Sequence, residues 1–263
     1  YYASRGLGDV YKRQVDNRKI SFANGPRFIG ARRADRSLDQ FYNHDDEKAK
    51  EKDRTYSEFP DAAVFTKLDV KEDGGNLVVT ANYKLGNLDK TQWTINPSGE
   101  LALDYTYNFS GVVDLMGIRF DYPEDQVISK RWLGAGPYRV WQNRIHGTQY
   151  DVWENDYNDP IPGETFTYPE FKGYFGDVSW MNIQTKEGTI SLTNETPDAY
   201  IGVYQPRDGR DRLLYTLPES GISVLNVIPP VRNKVNSTDL CGPSSQPKWV
   251  NGPQTGRVIF RFM

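Results

Sequence analysis

Between Leu101 and Phe109 the chain alternates, with Leu101, Leu103, Tyr105 and Tyr107 on one side and Ala102, Asp104 and Thr106 on the other. A period of two held over this length predicts a strand with one buried face. The pattern recurs. Ala63 to Val70 and Asn76 to Tyr83 flank Glu72-Asp73-Gly74-Gly75, and Thr91 to Asn96 joins the Leu101 strand through Pro97-Ser98-Gly99; both connections have hairpin chemistry. Further strands are predicted at Gly117 to Asp121, Val127 to Leu133, Gln149 to Glu154, Asp177 to Thr185, Thr189 to Asn194, Tyr200 to Tyr204, Gly221 to Ile228 and Arg257 to Phe262. In the last, Val258, Phe260 and Phe262 face inward while Ile259 and Arg261 face out.

Two stretches break the rhythm. Arg18 to Ala23 reads as a short strand closed by a turn at Asn24-Gly25-Pro26. Arg32 to Glu58 is charged, with Asp45 to Lys52 at its centre, and reads as a solvated helical turn or loop. No window has helical periodicity with caps, and no repeat or linker divides the chain. Short strands at a spacing of roughly 8–12 residues predict an all-β fold, a large antiparallel super-sandwich in one domain.

Composition narrows the chemistry. The 17 tyrosines, 12 phenylalanines and 6 tryptophans suit pleated sheets and also surfaces that stack on sugars. A net charge of −3 gives no global field toward nucleic acid or anionic membrane, so neither is expected as a partner. There is no run of about 18 apolar residues, so no transmembrane helix is expected. The single cysteine, Cys241, excludes an internal disulfide and a cysteine-based zinc site. His44 and His146, the only histidines, leave little for a metal centre or a histidine-dependent triad.

Residues 1–14, YYASRGLGDVYKRQ, have neither an initiator Met nor the apolar core of a signal peptide. They resemble translated sequencing-adapter sequence at a broken reading-frame end. They are read as a non-native, disordered tail, leaving 15–263 as a single β-sandwich domain that is truncated at its N-terminal side.

The densest motifs lie between Trp132 and Trp180. WLGAGPYRVWQNR places Gly134, Gly136 and Pro137 after a strand, where glycine and proline predict a sharp turn past Leu133. A phosphate loop is excluded, since no helix and no GxxxxGK[ST] pattern follows. The second block, YPEFKGYFGDVSW, carries Pro169, Glu170, Gly173, Asp177, Val178 and Trp180. Together with GIRFDYPED from Gly117 to Asp125, and Asn24-Gly25-Pro26-Arg27, these blocks resemble the C-terminal β-sandwich of family 2 glycoside hydrolases of the β-galactosidase type. The resemblance covers about Arg18 to Met263. It implies a galactose-mutarotase-like sandwich that leans on a catalytic barrel outside this chain and lends a loop to the rim of the sugar pocket. The implied partners are that barrel, the other N-terminal parts of the same polypeptide, and carbohydrate; a periplasmic or secreted setting fits such an enzyme.

In the family the rim loop carries D-S-W-x-P; here the matching residues are Asp239, Leu240, Cys241, Gly242 and Pro243. A thiol offers no apolar face to a pyranose, so the departure points to a different glycoside preference. Tyr138-Arg139-Val140-Trp141 likewise replaces the family's pattern after G-P. Glu170 joins the rim candidates because it sits in the matched block. Trp141, Trp153 and Tyr174 are the candidate sugar-stacking rings, with Tyr157 beside them.

Retaining glycosidases need two carboxylates roughly 5–5.5 Å apart. Glu154, Asp156, Asp159, Glu164 and Glu170 cannot be paired by sequence, and the family keeps its catalytic glutamates in the barrel. No catalytic residue is assigned here, and the chain alone is expected to be inactive. His146 is placed only suggestively for a mutarotase-type base. Asp151, Glu154, Asp156 and Asp159 are rich enough in oxygen for a structural divalent cation but lack the loop glycine of a known motif, so no metal or cofactor is expected. The alternative reading is a stand-alone carbohydrate-binding or structural sandwich.

Overall fold

The computed structural model describes residues 14–15, 18–33, 56–157, 173–204, 218, 221–230 and 242–263. They form two antiparallel sheets and a small two-stranded ribbon, β1 (Gln14–Val15) with β2 (Arg18–Lys19). The five-stranded sheet runs β14 (Tyr200–Val203), β15 (Ile222–Val227), β9 (Leu115–Asp121), β3 (Ala23–Arg33), β4 (Tyr56–Glu58). The nine-stranded sheet runs β11 (Gln149–Asp156), β10 (Val127–Gly136), β12 (Trp180–Thr185), β13 (Gly188–Asn194), β16 (Lys248–Phe262), β8 (Leu101–Val113), β7 (Leu88–Ile95), β6 (Asn76–Lys84), β5 (Val64–Asp73). The expected all-β antiparallel sandwich is what the chain builds.

The alternating residues make the core. Leu101, Leu103, Tyr105 and Tyr107 of β8 are buried with Val258 and Phe260 of β16, and they meet Phe28, Met116, Ile118 and Phe120 of the smaller sheet. Aromatic rings mesh across this layer, Phe120 lying 5.1 Å from both Phe22 and Phe260. Burial of so much apolar surface is the main force joining the sheets. The five-stranded sheet is buried on its second face as well. Ile29, Ala31, Leu115 and Leu225 point away from the main core into a second cluster with Val140, Trp141 and Tyr174. The segment after β10 therefore acts as a partial third layer.

Three expectations need correcting. Asn24-Gly25-Pro26 does not end a strand; it lies inside β3, where the register with β9 shifts between Ala23 and Arg27. Gly25 is there because a Cβ would run into the Phe120 ring. Leu133 does not end β10, which runs through Gly136 to the cis Gly136–Pro137 bond. Gly136 serves close packing rather than a turn, because a Cβ there would collide with the Trp153 indole. The end of the Arg32–Glu58 stretch forms strand β4, while residues 34–55 lie outside the described residues, as do 1–13. The hairpins at Gly74–Gly75 and Pro97–Gly99 form where expected, the former with both glycines at positive φ.

Candidate functional site

The two motif blocks are knitted together by main-chain bonds. Ala135 N donates to Gly176 O at 2.9 Å, Ser179 N to Leu133 O at 2.9 Å, and Val140 and Tyr174 exchange N–H···O bonds of 2.7 Å each way. Trp132 fills the corner between them, fully buried, edge-on to Phe175 at 4.8 Å, its indole N–H donating to Ala135 O at 3.1 Å.

This assembly changes the role of the expected stacking rings. Trp141 and Tyr174 are 3% and 1% exposed and pack edge to face at 5.7 Å. They offer no open face to a sugar; both are spent covering the back of the five-stranded sheet. Trp153 is half-buried over Gly136, and its N–H donates to Gly134 O (3.2 Å) and Gln149 O (3.3 Å). Tyr157 is half-buried too, its hydroxyl donating to the Glu124 carboxylate.

Of the rim candidates, Glu170, Asp239, Leu240 and Cys241 lie outside the described residues. Gly242 and Pro243 are exposed and open a 3₁₀ turn, Pro243–Ser245, just ahead of β16. Gln142 ties this turn to the scaffold. Its backbone N–H donates to Pro229 O at 3.1 Å, and its side-chain Nε2 donates to Gln246 O at 2.8 Å. One residue of the first motif block thus holds chain on both sides of the candidate rim residues. No sequence signal pointed to Gln142, since a lone glutamine carries no spacing or chemistry of its own.

Acids and bases are placed as follows. Strand alternation puts Asp151, opposite Gly134, on the other face of β11 from Glu154 and Asp156, which lie opposite Arg131 and Ser129. The three therefore do not converge as cation ligands; Asp159 lies outside the described residues, as does Glu164. Among the described residues no group of three His, Cys, Asp or Glu side chains could hold a metal ion. His146 is exposed on a turn, its carbonyl accepting from the Tyr138 hydroxyl at 3.1 Å.

Arg139, Lys130 and the phenols of Tyr122 and Tyr204 are held by buried or half-buried contacts. Arg139 is buried with its guanidinium 4.8 Å over the Phe175 ring, Nη1 donating to Tyr204 O at 2.7 Å. Desolvation pushes its pKa down to about 9, and among the described residues its Nε and Nη2 have no hydrogen-bond partner. Buried Lys130 lies 5.5 Å over the Tyr157 ring. The Tyr204 hydroxyl donates to Tyr122 O and the Tyr122 hydroxyl to Glu187 at 3.0 Å; burial raises both phenols above their ordinary range. These bonds bind loops to strands.

One surface ring escaped the sequence reading. Trp249, on β16, is 71% exposed, although its inward neighbour Val250 packs on the core. It was missed because only the C-terminal half of β16 shows a clean alternation; Asn251-Gly252-Pro253 looks like a turn but lies within the strand.

Fold and scaffold thus define an all-β sandwich whose two glycine-bearing motif blocks serve assembly. A model of the β-galactosidase small chain matches residues 8–240, and the chain belongs to that family. Among solved structures, a GalM/aldose epimerase homologue from C. elegans matches with a TM-score of 0.36 and 8% identity, over 75% of this chain and 69% of its own. A comparison with curated proteins finds no match.

Proposed function

We propose that this chain is the non-catalytic sandwich of a β-galactosidase-like glycoside hydrolase, supporting the catalytic barrel and shaping the rim of its sugar pocket. The rim is formed by the segment that ends at Gly242 and Pro243. The observation that carries this reading is the double attachment of Gln142, to Pro229 on one side of that segment and to Gln246 on the other. Positioning a substrate needs a well-held rim, and these two hydrogen bonds fix where the segment leaves and rejoins the scaffold. Cys241 in place of a tryptophan gives a rim without a broad apolar platform, so the substrate is a glycoside that does not need one there.

The test is steady-state hydrolysis of aryl glycosides by the parent enzyme carrying Gln142→Ala. Weakened rim positioning raises KM with a smaller effect on kcat, because the chemistry stays in the barrel. An unchanged KM in a folded variant would count against the rim role. The chain by itself is expected to hydrolyse none of these substrates.

A further inference from the structure

Residues 248–257 of β16 and 104–113 of β8 pair in continuous register. The neighbouring strands stop short: β7 reaches β8 only as far as Tyr107, and β13 reaches β16 only from Val258. A two-stranded ribbon therefore projects past both neighbours. Its inner face is anchored, with Phe109 5.0 Å from Phe59 and Val250 packed on the core. Asn87 braces its edge, its Nδ2 donating to Asn108 O at 2.8 Å and its carbonyl accepting from Asn108 N at 2.7 Å.

The outer face is of different composition. Trp249 stands opposite Val112, Asn251 opposite Ser110 and Pro253 opposite Asn108. All are neutral; the nearest charges along that face are exposed Lys90, opposite Thr106, and the Arg257–Asp104 ion pair of 2.7 Å. Among the described residues the Trp249 indole N–H has no hydrogen-bond partner, and the ring is 71% exposed. Ser110 Oγ donates to Asn251 Oδ1 at 3.0 Å and accepts from Gly252 N at 3.2 Å. That arrangement engages the Asn251 Oδ1 and leaves its Nδ2 available as a donor.

An exposed indole with amides beside it on a paired strand ribbon is the chemistry that recognises sugars. The apolar face of a pyranose covers the ring, and its hydroxyls take the amide bonds. A protein interface would surround the tryptophan with further apolar or aromatic residues, whereas on this face of the ribbon, among the described residues, Val112 and Pro253 accompany it with asparagines and serine. The lack of charge selects a neutral glycan over a uronate or a sulfated one.

We propose that the outer face of the β8–β16 ribbon is a saccharide-binding platform, on which Trp249 stacks on a pyranose of a neutral, unbranched oligosaccharide while Asn251 and Asn108 bond its hydroxyls. This site begins three residues after Gln246, the residue Gln142 holds, but it needs no part of the catalytic barrel, so binding by the chain alone tests it separately from the rim role.

The test is isothermal titration and tryptophan fluorescence of the full chain with cellohexaose, mannohexaose and β-1,4-galactotetraose, and with polygalacturonate as the charged comparator. At least one neutral probe binds and shifts the fluorescence, while polygalacturonate does not bind. Trp249→Ala weakens that binding about tenfold or more, Trp249→Phe keeps it within about threefold, and Asn251→Ala costs about threefold. No binding of any neutral probe, or equal binding by Trp249→Ala, overturns the proposal. So does loss of association between Trp249→Ala and the catalytic portion of the parent when no glycan binds, which would make the ribbon a protein interface.

Discussion

Trp132 and Trp249 belong to the same nine-stranded sheet and meet opposite environments. Trp132 is enclosed on β10, its ring against Phe175 and its N–H spent on Ala135 O, at the junction of both motif blocks. Trp249 stands 71% exposed on β16 with its N–H unbonded by any described residue, among neutral polar residues. One indole organises the fold; the other costs nothing to the fold and is free to serve a ligand. An aromatic-rich composition therefore says little about sugar binding until burial separates the two kinds of ring.

Truncating the enclosed ring draws that contrast most sharply. Trp132→Ala is expected to destabilise by about 3–5 kcal/mol, by lost burial and the cavity left behind, read by denaturant unfolding. Gly136→Ala attacks the same corner from the other side. Its methyl meets the Trp153 ring, and the overpacking costs about 1–3 kcal/mol. At the ribbon the effects shrink. Gly252 sits at φ +88 with open space around it, so Gly252→Ala costs about 1 kcal/mol through backbone strain alone. Trp249→Ala is expected to change stability by less than about 0.5 kcal/mol, which makes it a clean probe of binding.

Alkaline titration sharpens the core side of the comparison. Burial raises the Tyr105 phenol to about 12 and raises Tyr107 further, against an ordinary value of 10. A phenol with a raised folded-state pKa contributes stability that is fully present below pH 10 and is lost as pH climbs through 12. Arg139 acts in the opposite sense. Its lowered pKa makes the cost of burying its charge complete below about pH 9 and smaller above. Urea midpoints should stay level toward pH 9 and fall above pH 10, with the fall blunted in Tyr105→Phe. A midpoint that rises above pH 10 would show that the buried phenols do not govern alkaline stability.

Strand positions were legible where alternation ran uninterrupted, as in Leu101 to Tyr107, and hairpins where paired glycines left one geometry, as at Gly74–Gly75. The motif blocks announced their family, yet their glycines were misread. A glycine signals either a special φ or a close neighbour, and only the fold tells which. The two N-G-P triplets make the point. Gly25 avoids the Phe120 ring inside β3, Gly252 meets a positive φ within β16, and neither makes the turn that local chemistry suggests. Trp141 and Tyr174 were unreadable as core because the layer they fill is created by a segment folding back over the five-stranded sheet. Gln142 was silent for a related reason, since its partners Pro229 and Gln246 lie far along the chain.

The most direct measurement is aryl β-galactoside and related glycoside turnover by the catalytic portion of the parent enzyme, titrated with this chain. The chain alone should hydrolyse nothing, kcat/KM should rise saturably as it is added, and Gln142→Ala should give a smaller rise. Hydrolysis by the isolated chain, or full activity of the catalytic portion without it, would rule out a supporting role for this sandwich.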